Sequence, residues 1–125
     1  MVQIAQGWEL AVERGPDWLF IRPRSVGGGL GSMPNLADEI WSLLNQSFTR
    51  RLVLELNEVP FLHSYLIGQI VLLGKRVHAE HGLMRICGLS SANQDALRAC
   101  HLEGRFPLYL SREDAVMSSR PIQPR

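Results

Sequence analysis

Apolar and polar residues alternate in WELAVER, with Trp8, Leu10 and Val12 on one face and Glu9 and Glu13 on the other. A period of two predicts a β-strand with one buried face. Gly15, Pro16 and Asp17 then supply turn chemistry, and WLFIR, residues 18–22, reads as a second short strand, so the chain opens with a β-hairpin. A glycine-rich loop, PRSVGGGLGSMPN, follows. Beyond it the period changes to that of a helix: Leu36, Ile40, Leu43, Leu44 and Ser47 share a stripe in NLADEIWSLLNQS. Pro34 and Asn35 mark its start, Asp38 and Glu39 sit in its first turn, and Arg50 and Arg51 close the stretch near the C-terminal end, where positive charge is favoured.

LVLEL, residues 52–56, is a compact strand, with Val59, Pro60 and Phe61 leading out of it. From Ser64 to His81 the pattern is helical again. Leu66, Ile70, Leu73 and Val77 line one face and Ile67, Val71 and Gly74 widen it, as suits packing onto a sheet, and Gly82 ends the helix. LMRICGL gives another strand. SANQDALRACHL gives a helix with Ser91 and Gln94 spaced as a capping box. PLYL is a last short strand and SREDAVM a last short helix capped by Ser111. Strands alternating with helices predict an α/β fold: an N-terminal β-hairpin, then a mixed, mostly parallel sheet with about four helices. Residues 1–117 form a single domain, and residues 118–125 a tail too poor in apolar side chains to fold.

Composition narrows the function classes. The chain has 125 residues, 46% hydrophobic and 20% charged, ordinary for a globular domain that builds its core without disulfides or metal. Thirteen basic against twelve acidic side chains give a formal net charge of +1, which offers no electrostatic footprint for nucleic acid. Two cysteines make no disulfide framework, and Cys87 and Cys100 both read as small buried apolar groups. No basic-then-apolar leader opens the chain and no apolar run is long enough to span a bilayer, so a cytoplasmic location without membrane insertion is expected.

Several residues invite chemistry. GGGLGS, with Gly27 to Gly31, lacks the lysine of a phosphate-cradling loop and the tight strand-to-helix turn of a dinucleotide fingerprint, so it reads as a surface connection. His78, His81, Cys87, Cys100 and His101 match no zinc spacing, and no metal or cofactor is expected. Ser64 has three readings. As a nucleophile it would need a base and an orienting acid, yet His63 is its immediate neighbour and HSYLIG lacks the glycines of a nucleophile elbow, so the chain is not expected to be an enzyme. As a helix N-cap its oxygen would accept an orphan backbone N–H. As a phosphate acceptor it would stand at the positive end of a helix dipole, where an anion is welcome.

The order of elements, together with the stretch from LVLELNEVPFLHSYLIGQI to FPLYLSREDAV, resembles a STAS domain, the anti-sigma factor antagonist family. The resemblance runs from the first hairpin to Val116. Val59 and Phe61 match the family's V-x-F lead-in to a turn like Asp-Ser-Ser-Gly-Leu-Gly. Gly68 matches the last glycine of that turn, Gly82 the glycine before the next strand, and Gly88 with Leu89 the end of that strand. LEGRFPLYLSREDAV is similar to the family's closing pattern. Ser64 then falls on the serine that bacterial members offer to a serine/threonine kinase. Three residues depart from the pattern: His63 replaces an acid, Tyr65 a small residue and Leu66 a glycine.

The resemblance implies a partner switch. The unmodified domain binds an anti-sigma factor, often itself the kinase, and so frees a sigma factor; phosphorylation of Ser64 ends the binding and a phosphatase restores it. The partner surface implied is Asn57, Pro60, Leu62, His63, Ser64, Tyr65, Leu66 and Gln69. Other readings remain open: a phosphorylation-independent STAS scaffold in a stress-signalling assembly, a subunit of a lipid-transport ATPase, or a nucleotide or small-ligand sensor using the Gly27–Gly31 loop. The oligomeric state, a homodimer included, is also open.

Overall fold

A computed structural model describes residues 2–5, 8–25, 35–100, 102, 106 and 108–117. Strands β1 (Val2–Ala5), β2 (Trp8–Arg14) and β3 (Leu19–Ser25) come first, followed by helix α1 (Leu36–Gln46) and strand β4 (Arg51–Glu55). Helix α2 (Ser64–Ala79), strand β5 (Leu83–Cys87), helix α3 (Ser91–Ala99), strand β6 (Leu108–Tyr109) and helix α4 (Arg112–Val116) complete the order. The fold is the α/β class expected, with four helices among the described residues. The expected hairpin is β2–β3, and β1, which the hydrophobic pattern does not reveal, pairs antiparallel outside it. The glycine-rich Gly27–Gly31 segment, His101 and the 118–125 tail lie outside the described residues.

The six strands of the described residues stand in sequence order, β1 to β6, antiparallel as far as β3 and parallel from β3 to β6. Successive side chains of a strand point to opposite faces, and β4 shows the consequence. Leu52 and Leu54 join Leu10, Ile21 and Ile86 in the main core, beneath Ile40 and Leu44 of α1, Ile70 and Leu73 of α2 and Leu97 of α3. Val53 points the other way, into a smaller cluster with Trp18, Cys87, Tyr109 and Ala115 of α4. Helices α1 to α3 thus pack on one face and α4 on the other.

On that second face Glu55 is buried, and it is held by arginine. Arg112 donates from Nε to Glu55 Oε2 at 2.7 Å and from NH2 to Oε1 at 2.8 Å, while NH1 pairs with Glu13. A bidentate fork of this kind fixes geometry as well as charge. The hydrogen bonds to Glu55 raise the pKa of Arg112 further above its ordinary value.

Several local expectations are corrected. Helix α1 ends at Gln46 with no basic residue in its last turn, because the chain turns at Ser47 and Phe48: Arg50 lies 4.9 Å over the Trp41 ring and Arg51 opens β4. Helix α2 ends at Ala79, and the left-handed residue after it is His81 (φ 61°), not Gly82. Gly82 is required for another reason: a Cβ there would collide with the carbonyl oxygen of Arg50, where Leu83 N–H donates at 2.9 Å to start the β4–β5 register. Ser90, not Ser91, caps α3, accepting from Asn93 N–H at 3.1 Å. Cys100 is exposed at the C-cap of α3, whereas Cys87 is buried as expected. Ser111 does cap α4, accepting from Asp114 N–H at 3.2 Å.

Candidate functional site

The connection from β4 to α2 leaves the carboxyl ends of the parallel strands, the edge where open α/β sheets bind their ligands. Its path is fixed by residues distant in sequence. Leu56 N–H donates to Cys87 O at 2.9 Å, extending the β4–β5 ladder by one residue. Gly88 has φ +76°, a conformation that side chains rarely adopt, and the Asn57 side chain lies against it where a Cβ would stand. Asn93, fully buried on α3, clamps the stretch from Val59 to Leu62. Its Oδ1 accepts from Leu62 N–H at 2.9 Å and its Nδ2 donates to Val59 O at 2.9 Å. Sequence reasoning missed Asn93; its one signal is a polar residue at the N3 position of a capped helix.

This clamp sets where α2 begins. His63 occupies the N-cap, extended at φ −83° and ψ 170°, and its side chain makes no capping hydrogen bond. Ser64 is the first residue of the helix, so its reading as N-cap is corrected: the chain turns one residue earlier. Its side chain is exposed and, among the described residues, no protein group hydrogen-bonds its hydroxyl. The N–H groups of Ser64, Tyr65 and Leu66 likewise meet no acceptor among the described residues, the first bond of the helix running from Ile67 N–H to His63 O at 3.1 Å. No acidic residue stands in the first turn to neutralise the dipole. The result is a solvent-facing hydroxyl at an uncapped, electropositive helix end.

The residues expected around Ser64 divide by burial. Asn57, Pro60, His63, Ser64 and Tyr65 reach the surface together. Leu62, Leu66 and Gln69 do not, because the first two are core side chains and the third is consumed internally. Gln69 Oε1 accepts from Ala37 N–H at 3.0 Å, supplying α1 with the cap that Asn35 does not provide. Phe61, which sequence reasoning left out of the surface, is 62% exposed, its ring 6.3 Å from the His63 imidazole. Tyr65, Gly68 and Leu72 continue from it along one exposed face of α2, spaced three and four residues apart. At Gly68 a Cβ would meet nothing within 4 Å, so no packing in the fold demands glycine there.

No histidine or carboxylate among the described residues hydrogen-bonds Ser64, and His78 lies in the last turn of α2, at its other end. Among the described residues no three histidine, cysteine or acidic side chains gather as a metal site. Cys87, close behind the β4–α2 connection, is an inert thiol: burial, followed by the charge of Glu55, pushes its pKa up to about 12. No described helix is long and apolar enough to cross a membrane.

The sequence profile of the STAS domain matches residues 30–115. No curated protein sequence matches the chain. Among solved structures, an anti-sigma factor antagonist from Mycobacterium paratuberculosis superposes with a TM-score of 0.73 at 20% identity, covering 90% of this chain and 93% of that one. A STAS domain protein from Planctomyces limnophilus superposes at 0.65 with 17% identity, covering 88% and 97%. The Bacillus cell fate determinant SpoIIAA in its phosphorylated form superposes at 0.61 with 14% identity, covering 90% and 100%.

Proposed function

Because the chain belongs to the STAS domain family, we propose that it is an anti-sigma factor antagonist that binds an anti-sigma factor or serine/threonine kinase through the surface around Ser64, and that phosphorylation of Ser64 ends the binding. The observation that carries this reading is the state of Ser64: an exposed hydroxyl with no protein partner among the described residues, on the first residue of an uncapped helix. Exposed Phe61 and Tyr65 beside it supply the aromatic contact that interface centres favour. Several structural neighbours are described as anti-sigma factor antagonists, and one is a phosphorylated form.

The energetics of such a switch are consistent. A phosphoserine carries about −1.5 to −2 charges at neutral pH. At the start of α2 that charge faces the positive end of the helix dipole and gains roughly 0.3–1 kcal/mol, so the fold survives modification. In an interface centred on Ser64 the same dianion is desolvated at a cost of several kcal/mol unless it is paired. A micromolar complex holds about 8 kcal/mol in all, with each ~1.4 kcal/mol worth tenfold in affinity. Phosphorylation then removes the partner without unfolding the domain.

A second reading, a phosphorylation-independent STAS scaffold or subunit, draws on the same exposed aromatics and on His63 standing where the family has an acid. Titration calorimetry against the cognate anti-sigma factor separates the two. Under the switch, Ser64→Glu weakens binding by about 100-fold or more, roughly 3 kcal/mol, while Ser64→Ala does not. Equal binding by both variants favours the scaffold.

A further inference from the structure

At the end of the molecule remote from Ser64, the turns after β2, α1 and α2 converge on a depression of about 600 Å3. The two ends are separated by the length of α2, whose 16 residues span about 24 Å at 1.5 Å per residue. Arg14, Arg50, Arg51, Ser47, Phe48 and His81 line the depression, with Asp17 the one carboxylate in its lining among the described residues.

The three arginines are held by groups other than carboxylates. Arg14 Nε donates to Ser47 Oγ at 3.0 Å. Arg50 donates to Thr49 O at 3.1 Å and lies on the Trp41 ring, and Arg51 lies 5.8 Å from the centre of the Trp18 ring. Among the described residues none of the three has a carboxylate within 4.0 Å, whereas Arg22, Arg24, Arg76, Arg98 and Arg112 all do; Arg85 also has none, but it donates to Ala115 O and lies outside the depression's lining. Each guanidinium therefore keeps N–H groups that no carboxylate of the described residues takes up, and in Arg50 and Arg51 a ring contact orients the plane that an incoming oxyanion would meet.

Phe48 stands beside them, 95% exposed and the most exposed large apolar side chain among the described residues. It is also left-handed at φ 54°, a conformation unfavourable for a bulky residue. Neither burial nor backbone preference accounts for a phenylalanine here, and an observed outlier of this kind points toward function.

We propose that this pole is a second docking surface, one that takes an acidic segment of a partner protein, with its carboxylates on Arg14, Arg50 and Arg51 and an apolar side chain of the segment against Phe48. The cationic lining gives the charge complementarity. The concave shape favours a chain segment over a bilayer, because a planar surface meets the projecting Phe48 before it reaches the floor of the depression. A formal net charge of +1 for the whole chain weighs against nucleic acid. The site does not depend on the state of Ser64, so both ends can be occupied together.

The direct test is fluorescence anisotropy of the full chain with a fluorescein-labelled peptide of glutamates flanking a central leucine–phenylalanine pair. Saturable binding is expected, falling as salt rises and weakened about fivefold by Arg14→Gln and by Phe48→Ala, the equivalent of ~1 kcal/mol each. Ser64→Glu should leave it unchanged. Phe48→Gly suits the left-handed backbone and should raise the melting temperature while lowering peptide affinity; a purely structural Phe48 gives a lower melting temperature instead. Absence of saturable binding at millimolar peptide, or equal binding by wild type and variants, overturns the proposal. Binding to phosphatidylserine vesicles without peptide binding also overturns it, and assigns the pole to a membrane surface.

Discussion

Asn93 and Leu62 are 31 residues apart in sequence, yet the buried carboxamide of one accepts the backbone N–H of the other at 2.9 Å. Through this bond α3 determines where α2 starts, and hence where Ser64 is displayed. Asn93→Ala orphans Leu62 N–H and Val59 O together. Leaving two buried groups unpaired should cost roughly 2–4 kcal/mol in urea denaturation. Partner binding should fall beyond what the unfolded fraction explains, because the lip from Asn57 to His63 loses its anchor.

The caps give a second test. Ser64→Ala removes a hydroxyl with no protein partner among the described residues, so stability should change by less than ~0.5 kcal/mol. His63→Asp places an acceptor at an extended N-cap that has none, and should stabilise the domain by about 0.5–2 kcal/mol. If instead Ser64→Ala costs about 1 kcal/mol, Ser64 is the cap in solution.

Gly68 separates fold from function. With nothing within 4 Å of a Cβ built there, Gly68→Ala should stabilise α2 by about 0.5–1 kcal/mol in thermal denaturation. If partner backbone approaches this face between Tyr65 and Leu72, the same variant should weaken binding measured by calorimetry. Stability and affinity would then move in opposite directions, an outcome that a merely tolerated glycine does not produce.

Glu55 and Arg112 test the second face of the sheet. Glu55 keeps a side-chain exposure of 4%, and without Arg112 its nearest cation is Arg22 at 3.6 Å. Arg112→Met should therefore cost about 3–5 kcal/mol, the penalty of a buried charge left poorly paired. Adding Glu55→Leu should recover most of that loss. Hydrogen exchange in α4 should accelerate in the single variant and slow again in the double one.

Cys87 gives an alkaline limb to stability. Its pKa is raised from 9.0 to about 12 by burial, so the native state holds the thiol proton that the unfolded chain releases. The contribution is fully present below pH 9 and is lost as pH rises toward 12, by up to the order of 4 kcal/mol. Denaturation of wild type and Cys87→Ala across that range should converge as pH rises. At pH 8 a thiol reagent should modify exposed Cys100 and spare Cys87.

Much of the fold was legible because one-sided burial leaves a period in the sequence. Trp8, Leu10 and Val12 alternate, and the stripe from Leu66 to Val77 repeats at helical spacing, because each faces the same core. What was not legible depends on partners far along the chain. Ser64 resembles a cap locally, but the turn is placed one residue earlier by Asn93. Gln69 reads as surface because it is polar, and is buried because Ala37 N–H satisfies it. Gly82 reads as a helix terminator, and its real constraint is the Arg50 carbonyl arriving just ahead of β4. The serine of the candidate site was legible from resemblance, its aromatic neighbour Phe61 was not, and the arginine pole had no motif to announce it.

The most direct measurement is phosphosite mapping by mass spectrometry on the protein isolated from its native cells under growth and stress. A fraction carrying the mass of one phosphate, localised to Ser64 and varying with condition, is the expected result. A Ser64 peptide that stays unmodified in every condition would contradict the switch and leave the same surface to a phosphorylation-independent partner.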